Sequence, residues 1–343
     1  MIHEKVKLKL PNGKEVDAIA PVILSASRST DIPAFYFKWF CKRLDEGYSA
    51  WMNPYTKDIQ YISYENVKGI VFWTKNPSSG TTAVLDRLKE KGIEYYFQYT
   101  LNDYEKEGFE PNLPPLDKRI KIFNRLSEIV GVDRIIWRFD PLILTNTLNI
   151  DELAKRVEYI GDRIKGSTNK LVFSFVDVSG YKRVKENLLK ETDQFTADNV
   201  MNSEFTLPLM GQMAGNLCEL CDKWNKEGWD IHMTTCGEKY DFIEYGILPN
   251  RCVDADQFKK ITTDKDFLNY LTYGKFDVTE KDKQLTDEQM KDKGQRLACG
   301  CMLSKDIGSY NTCPHFCAYC YANASREIVK EKMKKFSINN SMI

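Results

Sequence analysis

Six short runs rich in β-branched and aromatic residues recur along the chain, each ending in polar positions. They are residues 21–27 (PVILSAS), 69–74 (GIVFWT), 94–100 (EYYFQYT), 134–139 (RIIWRF), 170–176 (KLVFSFV) and 230–236 (DIHMTTC). In most cases a longer stretch follows, with apolar residues at helical spacing. Helices are predicted at 33–46, 83–91, 116–129, 150–163 and 207–227, with a weaker helical pattern in 180–203. Strands that are apolar almost throughout need cover on both faces, which indicates a parallel sheet between helices. Six such units predict an α/β fold, a parallel (β/α) barrel, complete or partial. An open doubly wound sheet is the alternative.

The flanks of this pattern differ. In the first 20 residues Val6, Leu8 and Leu10 alternate with lysines, and Asn12-Gly13 offers a turn, so a hairpin is expected. Residues 21–253 carry the barrel pattern. Residues 254–298 are densely charged and predict exposed helices and loops that connect to the C-terminal region. Residues 299–343 hold a cysteine-rich loop and a basic helix from about 322 to 336.

Composition narrows the functional classes. Lys+Arg and Asp+Glu are both 49, so bulk charge does not favour a nucleic-acid partner. No apolar run approaches the ~20 residues of a membrane span. The first residues are charged and lack the apolar core of a signal peptide. A soluble cytoplasmic protein is the expectation, and in that compartment clustered cysteines more often bind metal or do chemistry than form disulfides.

In β/α barrels the chemistry sits at the C-terminal strand ends. Here those ends carry Arg28, Lys75, Thr100 with Asn102 and Asp103, Arg138 with Asp140, Ser174 with Asp177, and Cys236 with Glu238. Ser29, Thr30, Asp31 and Asn76 at the same ends suit helix caps and turns. Arg138 and Lys75 are charges that would point into a barrel mouth.

Five of the ten cysteines fall between Cys299 and Tyr321. Cys313, Cys317 and Cys320 are spaced C-x3-C-x2-C. A structural zinc site needs four ligands, and His315 is cramped between the first two cysteines. Three thiolates suit a [4Fe–4S] cluster with one iron open to a non-protein ligand. Cys299 and Cys301, with Cys236 and Cys252, make four further thiolates, enough for an auxiliary [4Fe–4S] cluster or a zinc. Cys218 and Cys221 lie on a helix and are expected to pack in the core, as is Cys41.

The C-x3-C-x2-C motif with Tyr319 before its last cysteine resembles the signature of radical S-adenosylmethionine (SAM) enzymes. The chain as a whole looks like the DUF1848 family of uncharacterised proteins, through SRSTDIPAFY (27–36), FWTKNP (72–77), WRFDPL (137–142) and CGCMLSKDIGSYNTCPHFCAYCYAN (299–323). It is more weakly similar to spore photoproduct lyase. The resemblance implies that the three thiolates hold three irons and SAM chelates the fourth. Reductive cleavage of SAM then gives a 5′-deoxyadenosyl radical that abstracts hydrogen from a substrate. It further implies Tyr319, Lys75, Ser174 and Arg28 as cofactor contacts, and Arg138 and Asp140 as the catalytic pair. A reductant such as ferredoxin or flavodoxin is the implied partner. In most radical SAM enzymes the cluster loop follows the first strand. Here it comes last, which predicts a permuted arrangement with the loop entering the mouth from the far end of the chain. The alternatives are a non-enzymatic iron–sulfur or zinc protein whose cysteines staple the C-terminus, and a nucleic-acid lesion repair enzyme of the photoproduct-lyase kind.

Overall fold

The structure is a computed structural model that describes all 343 residues. Twelve strands form. They are β1 (Glu4–Lys9), β2 (Glu15–Ala20), β3 (Ile23–Ala26), β4 (Tyr48–Met52), β5 (Ile59–Ser63) and β6 (Gly69–Thr74), then β7 (Glu94–Thr100), β8 (Ile135–Leu142), β9 (Lys170–Phe175), β10 (His232–Thr235), β11 (Leu248–Pro249) and β12 (Lys305–Asp306). Eight of them belong to one sheet in the order β11-β10-β9-β8-β7-β6-β3-β12. The β12–β3, β3–β6, β8–β9, β9–β10 and β10–β11 pairs are parallel. All six apolar runs of the sequence are strands of this sheet. Every residue of β3 and β9 is buried, as a parallel strand covered on both faces requires. The order ends at two edge strands, so the α/β and parallel parts of the expectation are met and a closed barrel is not.

The helices Thr81–Glu90, Leu116–Val130, Ile150–Ile164, Lys182–Glu191 and Leu207–Lys226 fall where the periodicity puts them. Asn149 caps one of them, its side chain accepting from Glu152 N at 3.0 Å. The expected helix at 33–46 forms as a π-turn, Ile32–Tyr36, followed by the helix Phe37–Glu46.

By contact density the chain divides into two compact units. One comprises residues 1–97, 251–312 and 330–343, the other residues 98–250 and 313–329. In the first unit the expected hairpin β1–β2 is present but does not stand alone: β2 pairs with β5, and β5 with β4, in a four-stranded sheet. The charged stretch departs from its expected exposure. Its helices Ala255–Ile261 and Lys265–Tyr273 bury Phe258, Phe267 and Leu271. Gly69, at the start of β6, is why they fit, since a Cβ there would stand 2.8 Å from both Phe258 Cζ and Phe267 Cζ.

In the second unit the terminal helix begins at Arg326, not near residue 322. The reason is local. The Asn187 amide takes the carbonyls of Cys320 and Asn323 at 2.7 and 2.9 Å, and the Asn323 amide takes that of Cys313 at 2.7 Å. Those carbonyls are spent on side chains, and the segment turns before it can coil. No helix of the chain is long and apolar enough to cross a membrane.

Candidate functional site

The segment after β7 builds the seat of the cysteine loop. Asn102 is wholly buried. Its Nδ2 donates to the Asp140 carbonyl at 3.1 Å and to the Tyr319 hydroxyl at 3.0 Å, and its Oδ1 accepts from Asp140 N at 2.9 Å. One amide side chain thus ties the cysteine loop to β8. The Tyr319 hydroxyl in turn donates to the Glu110 carboxylate. Burial, reinforced by Glu110 and Cys317, raises the Tyr319 phenol well above its ordinary range, so it keeps its proton and remains a donor. Two buried ion pairs stiffen this segment: Glu110 with Arg119 at 3.5 Å and Glu107 with Arg156 at 2.7 Å.

The loop is fastened along its backbone as well. Ala318 N donates to Phe109 O at 2.8 Å, and the Asn112 amide to Pro314 O at 2.7 Å. Between Cys313 and Cys317 the chain turns through Phe316 at φ 55°. A bulky side chain in the left-handed region costs on the order of 1–2 kcal/mol, which the surrounding hydrogen bonds offset. Cys320 N then bonds Cys317 O at 3.1 Å, and Ala322 N donates to the Cys320 sulfur at 3.3 Å. Cys317 is buried, while Cys313 and Cys320 are half-buried. Because amides carry the loop's carbonyls, its anchoring does not depend on its thiols. The donor set, three cysteines on one anchored loop with an amide N–H on a sulfur, fits the three protein ligands of a [4Fe–4S] cluster.

Beside Asn102, the ends of β8 and β9 form a second constellation. Arg138 and Asp140 are two residues apart on a strand and share a face. Arg138 Nε and Nη2 reach Asp140 Oδ2 at 3.0 and 2.5 Å, and Nη1 reaches Gln98 Oε1 at 3.1 Å. Ser174 Oγ donates to Asp140 Oδ1. Arg138 is buried and Asp140 half-buried, so the carboxylate is the accessible member of the group. Nearby, Glu238 accepts from Phe175 N at 2.9 Å.

Three of the expected cysteine ligands, Cys252, Cys299 and Cys301, lie in the first unit. Cys252 N and Val253 N donate to the Cys301 sulfur at 3.2 and 3.4 Å. Cys252 lowers the Cys301 thiol pKa, Cys299 and burial raise it, and Arg28 lowers it; the net shift is upward. Arg28 is half-buried as a residue, but its Nη2 end is sealed from solvent. Burial works against its charge, while Cys301, Asp306, Cys252 and Cys299 all favour it, and the net shift is upward. Asp306 accepts from Ser25 Oγ, Ser27 Oγ, Arg28 N and Gly308 N at 2.7, 2.8, 2.8 and 2.9 Å, and from Ser29 Oγ at 3.4 Å. Gly308 is required there, because a Cβ would stand 2.1 Å from Ser27 Oγ.

Residues 23–322 match the family model described as a domain of unknown function, DUF1848. The chain belongs to the DUF1848 family. The match takes in all seven cysteines of the two expected sets. No curated protein and no solved structure matches this DUF1848 chain.

The expected site residues of the DUF1848 chain thus fall into two groups. Cys313, Cys317, Cys320, Tyr319, Arg138, Asp140, Ser174 and Cys236 belong to the second unit. Arg28, Lys75, Cys252, Cys299 and Cys301 belong to the first. Cys236 is half-buried just past β10, its N–H bonded to Phe173 O at 2.9 Å. Lys75 is half-buried, and its N–H donates to Asp31 Oδ2 at 2.8 Å. Asp31 also caps the turn at Ala34, as expected. Tyr319 commits its hydroxyl to Glu110 and Asn102, so it pins the loop. Neither cysteine set is gathered as the ligands of a single metal ion would be; a cuboidal cluster puts each thiolate on a different iron. Cys221 packs in the core, its thiol on Ile231 O at 3.2 Å. The sequence argument placed Asn102 at a strand end without a role of its own, and missed Glu110, Asn112, Asn187 and Asp306. An acid two residues before a glycine in KDIG was the available signal for Asp306.

Proposed function

We propose that this chain is a radical SAM enzyme on a partial β/α barrel with a permuted cluster loop, and that Cys313, Cys317 and Cys320 are the ligands of its [4Fe–4S] cluster. The observation that carries the proposal is the tie through Asn102, which joins Tyr319 of the loop to the β8 end where Arg138, Asp140 and Ser174 stand. Held by Cys313, Cys317 and Cys320, a [4Fe–4S] cluster would supply the electron for reductive cleavage of SAM and so the means of hydrogen abstraction from a substrate.

The chain's own residues have separable tasks. The Asn amides and Tyr319 fix the loop's path, so the thiols are placed before a cofactor arrives. Asp140 offers a carboxylate to an ammonium group. Arg138 and Ser174 orient that carboxylate, and both are donors for a carboxylate of cofactor or substrate if Asp140 exchanges partners. Lys75 is a contact by resemblance alone. Tyr319, held protonated, closes the loop's inner side to water. The electron comes from a reduced ferredoxin or flavodoxin.

The test is anaerobic reconstitution with iron and sulfide, then dithionite and SAM. 5′-Deoxyadenosine is the expected product, and it disappears in Cys317→Ala. Reconstituted protein that binds no SAM would replace this reading with that of a non-enzymatic iron–sulfur protein.

A further inference from the structure

A cavity of about 370 Å³ opens in the second unit, between the start of the helix Leu207–Lys226 and the segment that follows β10. Its volume falls in the range of small-molecule sites, roughly 300–1,000 Å³. No residue of the chemistry proposed above lines it.

The walls are held in place from behind. Phe242 is buried, with its ring centre 5.8 Å from that of Phe175 on β9. After Phe242 the chain makes a tight turn, Ile243–Tyr245, and comes back, Ile247 N donating to Phe242 O at 3.2 Å. The turn sets Tyr245 against the helix. Gly211 makes this approach possible, since a Cβ there would stand 2.9 Å from the Tyr245 hydroxyl oxygen. Glycine weakens a helix interior, and here it admits the tyrosine ring.

The chemistry of the lining is one-sided. Three rings, Tyr240, Phe242 and Tyr245, share the space with two carboxylates, Asp241 and Glu244, and no Lys, Arg or His lines it. Asp241 Oδ1 accepts from Ile243 N at 2.9 Å, which leaves its other oxygen open. Glu244 and the Tyr245 hydroxyl have no partner within the protein. Neither carboxylate accepts an N–H of the adjacent helix, so capping does not account for them. Carboxylates without a counter-charge attract a cation, and the faces of the rings add to that attraction. No group of side chains that could hold a metal ion is present, so the fitting cation is organic. An apolar body carried by such a cation buries against the same rings.

We propose that this cavity binds an organic ammonium ion, its charge held by Asp241 and Glu244 and its apolar body packed on Tyr240, Phe242 and Tyr245. Binding is non-covalent. The inference goes beyond the proposed function and depends neither on SAM cleavage nor on a cluster.

The experiment uses the full chain as purified, without reconstitution. It is titrated with 2-phenylethylammonium at low salt and about pH 7, where the amine is charged, by ligand-observed NMR. 2-Phenylethanol, of similar size but neutral, is the control. Saturable binding of the cation is expected, with the alcohol weaker by about tenfold or more. D241N/E244Q keeps the shape of both side chains and should weaken the cation about tenfold while leaving the alcohol unchanged. Tyr245→Leu should weaken the cation about fivefold. Circular dichroism checks that each variant is folded. Equal affinity for the alcohol, or an unchanged isotherm in D241N/E244Q, would overturn the role of the carboxylates. Absence of saturable binding by the cation would overturn the site. 5′-Deoxyadenosine formation, measured after reconstitution of the same protein, reports separately on the proposed function. Product without cation binding removes this inference alone, and cation binding without product removes the proposed function alone.

Discussion

Tyr319→Phe removes one hydroxyl and keeps the ring, whose centre lies 6.1 Å from that of Tyr104. Donation to a buried carboxylate is worth ~1.5–3 kcal/mol, and a neutral amide bond ~0.5–1.5 kcal/mol. Neither partner is orphaned by the change. Asn102 keeps Asp140 O at 3.1 Å and Glu110 at 3.3 Å, and Glu110 keeps Arg119 at 3.5 Å. The expected loss is therefore toward the low end of the sum, about 2 kcal/mol. A pH signature accompanies it. The folded phenol titrates well above 10, so the native state holds a proton that the unfolded chain releases. Its contribution is full below about pH 10 and declines as pH rises beyond it, by ~1.4 kcal/mol per pH unit at most. Phenylalanine has no proton to lose, so the two proteins should converge in that range. Tyr96 is also raised by burial but is not among the groups that act on Tyr319, whereas Tyr104 is, so the difference between the two proteins reports Tyr319 together with its coupling to Tyr104. The measurement is urea unfolding at about pH 8 and then from about pH 9 to 11. A gap below about 0.5 kcal/mol at equal m-value, or one that stays constant into alkali, would refute the reasoning.

Asn187→Ala strips the carbonyls of Cys320 and Asn323 of their donor and should cost ~1–2 kcal/mol, with earlier loss of reconstituted iron under chelator challenge. Gly308→Ala should lower stability by ~1–3 kcal/mol through the clash with Ser27, and Ser27→Gly in the same chain should recover part of the loss in a thermal melt. Lys305 is pushed down to about 8, chiefly by burial, although Asp306 and Asp292 pull it up. The native state therefore favours the neutral amine, stability rises between about pH 8 and the ordinary lysine range, and the penalty is fully present below that window. Lys305→Met should accordingly be neutral or stabilising at about pH 7, with the gain fading in alkali; a loss at neutral pH would contradict the sign.

The sheet was legible because six of its strands are runs such as GIVFWT and KLVFSF, which have no solvent face and need no context to be recognised. β4 and β5 escaped because YSAWM and IQYIS are short, carry mixed burial and lie between stronger signals. The stretch 254–298 misled by composition: its lysines and aspartates outnumber the few aromatic residues that point inward. At the site, the cysteines and the Arg-x-Asp pair could be read from spacing alone. The asparagines that seat the loop could not, since an isolated Asn in a polar segment has the same appearance whether it caps a turn or spans to a residue more than a hundred positions away. Asn102, Asn112 and Asn187 each do the latter.

The partners of the cysteine loop have an order in time as well as in space. Asn102, Asn112 and Asn187 are all made before Cys313, and so are the β7–β9 strands that carry Arg138 and Ser174. During synthesis the frame can therefore fold while the thiols are still unmade or within the ribosome. Cys313, Cys317 and Cys320 then emerge into a seat already formed. Their interval of exposure to oxygen and stray metal is short, and the last part of this unit to be translated is the part whose chemistry least tolerates waiting.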